Sequence, residues 1–183
     1  MCIRDRAGDR LYLVGRSHDE LGASEVAFML KESGAVQGIG GSPPQLADPE
    51  QNLNLYRALS TAIQNGLVQT AHDCSEGGVG VAVAEMCIGG RLGATIDLDG
   101  TGHDSLWARL WGESLGRFIV AVKPEREAEF VQWMAGHPIT VLGEAVDNQT
   151  LTITDGYDEI VSADVETMVK SWQGALDMTG GVE

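Results

Sequence analysis

Gly77, Gly78 and Gly80 stand together between the polar stretch His72-Asp73-Cys74-Ser75-Glu76 and a periodic apolar run. Of all features in this chain, that cluster most limits the fold. Glycine tolerates left-handed backbone and the close approach of another segment, and it weakens the interior of a helix or strand. The cluster therefore marks a tight junction between elements. The apolar positions Val79, Ala82, Val83, Met86 and Cys87 follow the spacing of one buried helix face. The stretch reads as strand end, glycine turn, helix start. Ser75 is the expected N-cap, because its hydroxyl can accept from an orphan N–H of the first turn. A helix N-terminus offers free N–H groups and a partial positive charge, which suit a phosphate. Asp73 and Glu76 would repel a bare phosphate but could hold a magnesium ion that carries one.

The same pattern reading extends along the chain. Residues 8–15 read as a buried strand, and 20–32 as a glycine turn feeding a helix. A Gly/Pro loop over 38–50 leads to a clear helix start: Asp48 as N-cap, Pro49 at the first helical position, Glu50 in the first turn. Leu55, Leu59, Ala62 and Ile63 share one face of that helix, and Gly66 stops it. "LVQTAHD" is the strand entering the glycine junction. Residues 89–99 give a turn and a strand, 104–113 a short helix, 116–123 an apolar strand, and 124–136 a helix with acidic residues in its first turn. Asp147–Gln149 is the expected turn of a hairpin between "ITVLGEAVD" and "LTITD". Residues 163–176 form the terminal helix. Helices and strands alternate irregularly, which predicts an α+β domain, a mixed β-sheet with helices packed on it.

The formal net charge of −15 argues against nucleic acid and anionic membrane surfaces as partners, since both need a basic footprint. No stretch is long or apolar enough to span a membrane, and no signal peptide is visible, so a cytoplasmic location is expected. Three cysteines without a CxxC argue against a disulfide framework or zinc site. Cys87 belongs to the apolar helix face. Cys74 would need a basic neighbour to act as a nucleophile, and only His72 is near in sequence.

The opening "MCIRDR" has no structural logic with the strand after it and resembles a translated sequencing-adapter scar. The expected organisation is a non-native leader over 1–6, one domain over 7–176 and a tail over 177–183, with the native chain continuing upstream.

In order, "ELGASE", "AHDCSEGGVGVAVAEM", "GATIDLD", "WGESLGRFIVAV" and "VLGEAV" resemble the C-terminal domain of the aminoimidazole ribonucleotide synthetase superfamily. Within it they are most similar to the phosphoribosylformylglycinamidine synthases, and "KSWQGAL" resembles the closing helix of those enzymes. The "GES..RF" element and that helix tilt against sister enzymes such as thiamine monophosphate kinase. The resemblance implies an ATP- and magnesium-dependent ligase of purine biosynthesis. Such an enzyme converts formylglycinamide ribonucleotide and glutamine-derived ammonia to formylglycinamidine ribonucleotide. It also implies ATP-binding N-terminal domains and a glutaminase domain or subunit as partners, and a chain that is inactive alone, with no catalytic residue of its own. The alternative is a non-catalytic nucleotide- or partner-binding module of the same fold.

Residue by residue, Asp73 matches the family's magnesium ligand. Glu113 and Ser114 match a Glu-Ser pair that contacts substrate, and Gly77 and Gly78 lie where nucleotide or substrate approaches. The chain resembles the second, auxiliary copy of the domain, and where the family pattern continues Gln-Ser-Arg-Phe it has Leu115-Gly116-Arg117-Phe118, a lost amide that weakens substrate contact at that point. Each position also has a plainer reading. Asp73 can brace the turn as an Asx motif, Glu76 can face the helix dipole, and the glycines can serve packing. Glu113 and Ser114 can be helix-end groups. His18 and His103 read as solvated, His137 as a turn residue and His72 as structural. Trp107 and Trp111, four residues apart, read as core or domain-interface anchors.

Overall fold

The computed structural model describes residues 6–32, 41–46, 48–102 and 105–174. The expected leader before Arg6, the tail, and His103 lie outside the described residues. Among the described residues, seven strands form one sheet: β1 (Arg10–Val14), β2 (Thr70–Asp73), β3 (Gly93–Asp97), β4 (Phe118–Val122), β5 (Ile139–Val146), β6 (Thr150–Asp155) and β7 (Asp158–Asp164). Their order is β2-β4-β1-β5-β3-β6-β7, antiparallel throughout except for the parallel β3/β6 pair. Six α-helices accompany them among the described residues: α1 (Glu25–Glu32), α2 (Pro49–Gln64), α3 (Gly78–Gly90), α4 (Leu106–Trp111), α5 (Glu127–Trp133) and α6 (Val165–Gly174). This is the α+β mixed sheet that the patterning predicts.

Strand alternation splits the core in two. Leu11 and Leu13 of β1, with Ile119 and Ala121 of β4, pack with α3 and α6. The intervening Tyr12, Val14, Val120 and Val122 pack with α2 and α5. Because successive side chains point to opposite faces, a strand covered on both sides must be apolar at every position. That is why "LYLV" and "FIVAV" are unbroken apolar runs.

All five expected apolar positions of α3 are buried. The Asp48 carboxylate accepts from the Gln51 N–H at 2.9 Å, a cap worth about 1 kcal/mol. Leu55, Leu59 and Ala62 are buried as expected, but Ile63 is exposed at the last turn. The helix ends at Gln64, and Gly66 lies just beyond it in the left-handed region at φ +68°.

Two expectations are corrected. First, β5 and β6 do not form a hairpin: β3 lies between them, antiparallel to β5 and parallel to β6. Asp147–Gln149 is instead a crossover past the start of β3. Gly93 permits it, since a Cβ there would run into the Thr150 carbonyl oxygen and the Asn148 side chain. Second, the real hairpin joins β6 to β7, an edge strand absent from the sequence reading. Asp155 pairs with Asp158 across a two-residue loop, with Gly156 at φ +63°, as primed hairpin turns require at their first position. β7 is largely exposed and acidic, so its apolar alternation is faint.

Candidate functional site

Register places three segments at one end of the sheet. Asp73, the last residue of β2, and Val14, the last of β1, both stand opposite Phe118 at the start of β4. The turn into α3, the segment leaving β1 and the segment entering β4 therefore converge. Asp73, Gly77, Gly78, Glu113 and Ser114, far apart in sequence, come from two of these three segments.

The Asp73 carboxylate is mostly exposed and accepts from the Ser75 hydroxyl. That bond, with smaller help from its own backbone and from His72, holds its pKa below the usual carboxylate range. Ser75 thus does not cap α3: its hydroxyl is turned back to Asp73. The N-cap is Gly77, at φ +74°, and it has no side chain to offer. The capping group arrives from a distant segment. Glu113 Oε1 accepts from the Gly77 N–H at 3.0 Å and from the Glu25 N–H at 3.1 Å. One carboxylate therefore closes the N-termini of both α3 and α1. Gly78 also lies at positive φ, and a Cβ there would strike the Gly112 carbonyl oxygen. The glycines thus bring the α3 turn into contact with the backbone just before Glu113.

Ser114 is fully buried. Its Oγ accepts from the His18 N–H at 3.0 Å, and the Glu113 N–H donates to the Glu20 carbonyl at 3.3 Å. Sequence reasoning missed the residue that organises this corner. Arg117, 1% exposed, donates from Nε to the Ser114 carbonyl at 3.2 Å, from Nη1 to Ser17 Oγ at 3.0 Å, and from Nη2 to the Gly112 carbonyl. Burial lowers its pKa, yet a guanidinium stays charged. Its signal was an arginine opening an apolar strand, which is costly unless the charge is used. Glu20 is the second omission: it is buried, and its Oε1 accepts from the Gln45 N–H at 3.0 Å.

Cys74 is buried, and desolvation pushes its thiol up to about 12. The nucleophile reading is therefore closed. The nearby His72 is structural: its Nδ1 donates to the Asp73 carbonyl at 2.7 Å and its Nε2 lies 3.1 Å from Glu85. Trp107 and Trp111, with Val26, Met29, Leu30 and Val81, line an apolar cavity of about 550 Å³. Glu25, Glu76 and Gly77 form part of its lining. Trp111 packs so closely on α3 that a Cβ at Gly80 would crowd its ring at 2.7 Å. Among the described residues, no three His, Cys, Asp or Glu side chains are grouped to hold a metal ion, and no helix is long and apolar enough to cross a membrane.

The family described as AIR synthase related protein, C-terminal domain, matches residues 6–156. Among solved structures, the chain is similar to Thermotoga maritima PurL complexed with FGAR, at 22% identity and a TM-score of 0.73, over 91% of this chain and 28% of that one. The same PurL complexed with ATP gives 20% identity and a TM-score of 0.69, over 91% and 26%. A HypE-HypF complex gives 17% identity and a TM-score of 0.60, over 88% and 54%. At these identities the likeness is one of fold, and the chain spans only about a quarter of the length of the PurL chains it matches.

Proposed function

The chain belongs to the AIR synthase related C-terminal domain family, and on that premise we propose that it is the C-terminal domain of a phosphoribosylformylglycinamidine synthase. The enzyme is an ATP- and magnesium-dependent ligase of the cytoplasm. It makes formylglycinamidine ribonucleotide from formylglycinamide ribonucleotide and glutamine-derived ammonia. The carrying observation is the convergence of Asp73, the Gly77–Gly78 turn and the Glu113–Ser114 segment at one end of the sheet. The solved PurL structures with ATP and FGAR support the reading.

The residues present suit a restricted role. Magnesium keeps most of its waters and takes one or two carboxylates plus nucleotide phosphates. Asp73 is ionised and exposed, and among the described residues no three His, Cys, Asp or Glu side chains are grouped to hold a metal, so it fits an ion brought with a nucleotide, not one held by this chain by itself. Magnesium bound there would supply charge neutralisation to phosphate oxygens. The Gly77 N–H is already taken by Glu113, so a bare phosphate meets a carboxylate at that helix end. Gly77 and Gly78 then act by letting ligand and backbone approach closely. Glu113 and Ser114 hold the rim of the cleft. ATP-binding N-terminal domains and a glutaminase domain or subunit complete the enzyme, and the chain alone is inactive.

A second reading, a non-catalytic nucleotide-binding copy of the domain, is favoured by one observation: the hydroxyl of Ser114 is fully buried and committed to His18. Both readings are tested by joining the chain to the paired N-terminal domains and measuring ADP formation that depends on formylglycinamide ribonucleotide and ammonia. Activity in the assembly and none in the isolated chain is expected. An assembly that binds ATP through Asp73 without turnover supports the second reading, and turnover by the isolated chain sinks both.

A further inference from the structure

Helix α1 has little support from the domain it belongs to. It spans eight residues, too few for an isolated helix to be stable in water, and none of them is buried. Its order comes from its first turn: the Ser24 hydroxyl accepts from the Ala27 N–H at 3.2 Å, and Glu113 accepts from the Glu25 N–H. Yet its middle is apolar, and Phe28 and Met29 are 57% and 63% exposed. The apolar surface continues from Val26, Met29 and Leu30 across the cavity to Val81 of α3 and to Trp107 and Trp111 of α4. Val81 and Trp107 are exposed as well. A contiguous apolar surface of this kind marks an interaction site.

One end of this groove is acidic. Glu25, Glu76 and Gly77 line it, and Glu113 joins the Gly77 and Glu25 amides there. Among the described residues, the ion pairs and side-chain hydrogen bonds leave the Glu25 and Glu76 carboxylates free. Charge therefore selects the occupant. A second copy using the same face would bring two acidic mouths together, as an isologous contact requires. The chain's own last segment, 175–183, carries Asp177 and Glu183 and no basic residue. An anionic lipid surface meets the same carboxylates on a chain of net charge −15. A basic amphipathic helix matches both parts of the groove.

We propose that the α1/α3/α4 groove receives a basic amphipathic helix of a partner protein. Its apolar stripe, with anchors at i, i+3, i+4 and i+7, lies on Met29, Leu30, Val81 and the two indoles. Its lysines or arginines meet Glu25 and Glu76, their methylenes covering apolar surface on the way. The groove borders the α3 turn at Gly77, but the inference goes beyond the ligase reading and does not rest on it.

The test titrates the 183-residue chain with a synthetic helical peptide bearing leucines at i, i+3, i+4 and i+7 and lysines on both flanks. The control peptide carries glutamate for each lysine. Calorimetry and tryptophan fluorescence read binding. The lysine peptide is expected to saturate at micromolar concentration and to bind about 10-fold or more tighter than the control. M29K should weaken it about 10-fold or more without lowering the melting temperature. W172K adds the same charge at an exposed α6 position outside the groove lining and should leave binding unchanged. E25Q combined with E76Q should remove the preference for lysine. Failure to saturate at millimolar peptide, equal affinity for the two peptides, or full affinity in M29K overturns the proposal. Equal weakening by W172K and M29K marks non-specific adhesion and overturns it too. A dimer in sedimentation that M29K dissociates assigns the groove to a second copy, and a gain of affinity on removing residues 175–183 assigns it to the chain's own end; either result sinks the partner helix. None of these readouts involves ADP formation, so their failure leaves the ligase reading standing.

Discussion

Replacing Arg117 by Met keeps the length and apolar bulk of the side chain and removes every donor. Three acceptors then lose their partner: the Ser114 carbonyl, Ser17 Oγ and the Gly112 carbonyl. Each bond to a charged donor contributes about 1.5–3 kcal/mol. Against that stands relief from burying a guanidinium, the penalty visible in its lowered pKa. The expected net loss is about 3–5 kcal/mol, as for other broken buried charge networks. For a chain of this size that lowers the melting temperature by roughly 6–20 °C and the urea midpoint by about 1–2 M. Urea unfolding followed by far-UV circular dichroism measures it. Arg126→Met is the control: Arg126 pairs with Glu129 on the surface and its loss should cost less than about 0.5 kcal/mol. Hydrogen exchange adds a local readout. Glu113 sits between Gly112 and Ser114, so Arg117→Met should speed exchange at the Gly77 and Glu25 amides that Glu113 caps. A variant within about 1 kcal/mol of wild type, with those amides still protected, would refute the view that Arg117 organises the corner.

Three further outcomes are expected from the same contacts. Gly78→Ala meets both a positive φ and the Gly112 carbonyl, whereas Gly66→Ala meets a positive φ in open space. Thermal melts should therefore show a loss of about 1–2 kcal/mol for Gly66→Ala, and more for Gly78→Ala. Tyr12 donates to Glu127 at 2.7 Å, and burial with that carboxylate raises its pKa. The unfolded chain ionises this group near 10 while the folded chain holds the proton, so stability is full below that pH and falls as pH rises above it. Tyr12→Phe should flatten the alkaline limb of a stability-against-pH curve, and an unchanged limb would contradict the assignment. Cys74 and Cys87 are both buried. Iodoacetamide at about pH 8, near the ordinary thiol pKa, should leave Cys74 unmodified in the native chain and label it on unfolding, as peptide mass mapping would read.

Features that depend on neighbours within a turn or two were legible in the sequence. The unbroken apolar runs of β1 and β4 mark strands covered on both faces, and the periodicity of α3 names its buried side. Asp48 and Pro49 announce the start of α2. The motif order also pointed to the family. Which distant groups meet became visible only in the packed fold. Ser75 is a good cap by type, but its hydroxyl turns to Asp73 and the cap comes from Glu113. The turn at Asp147–Gln149 looks like a hairpin until β3 is seen to occupy the place between its strands. Arg117 stands out in the sequence only as a charge before an apolar strand, and burial makes it the donor that three loop acceptors share. Local propensity is written in short windows, whereas strand partners and buried hydrogen bonds depend on which segments the packed sheet brings together.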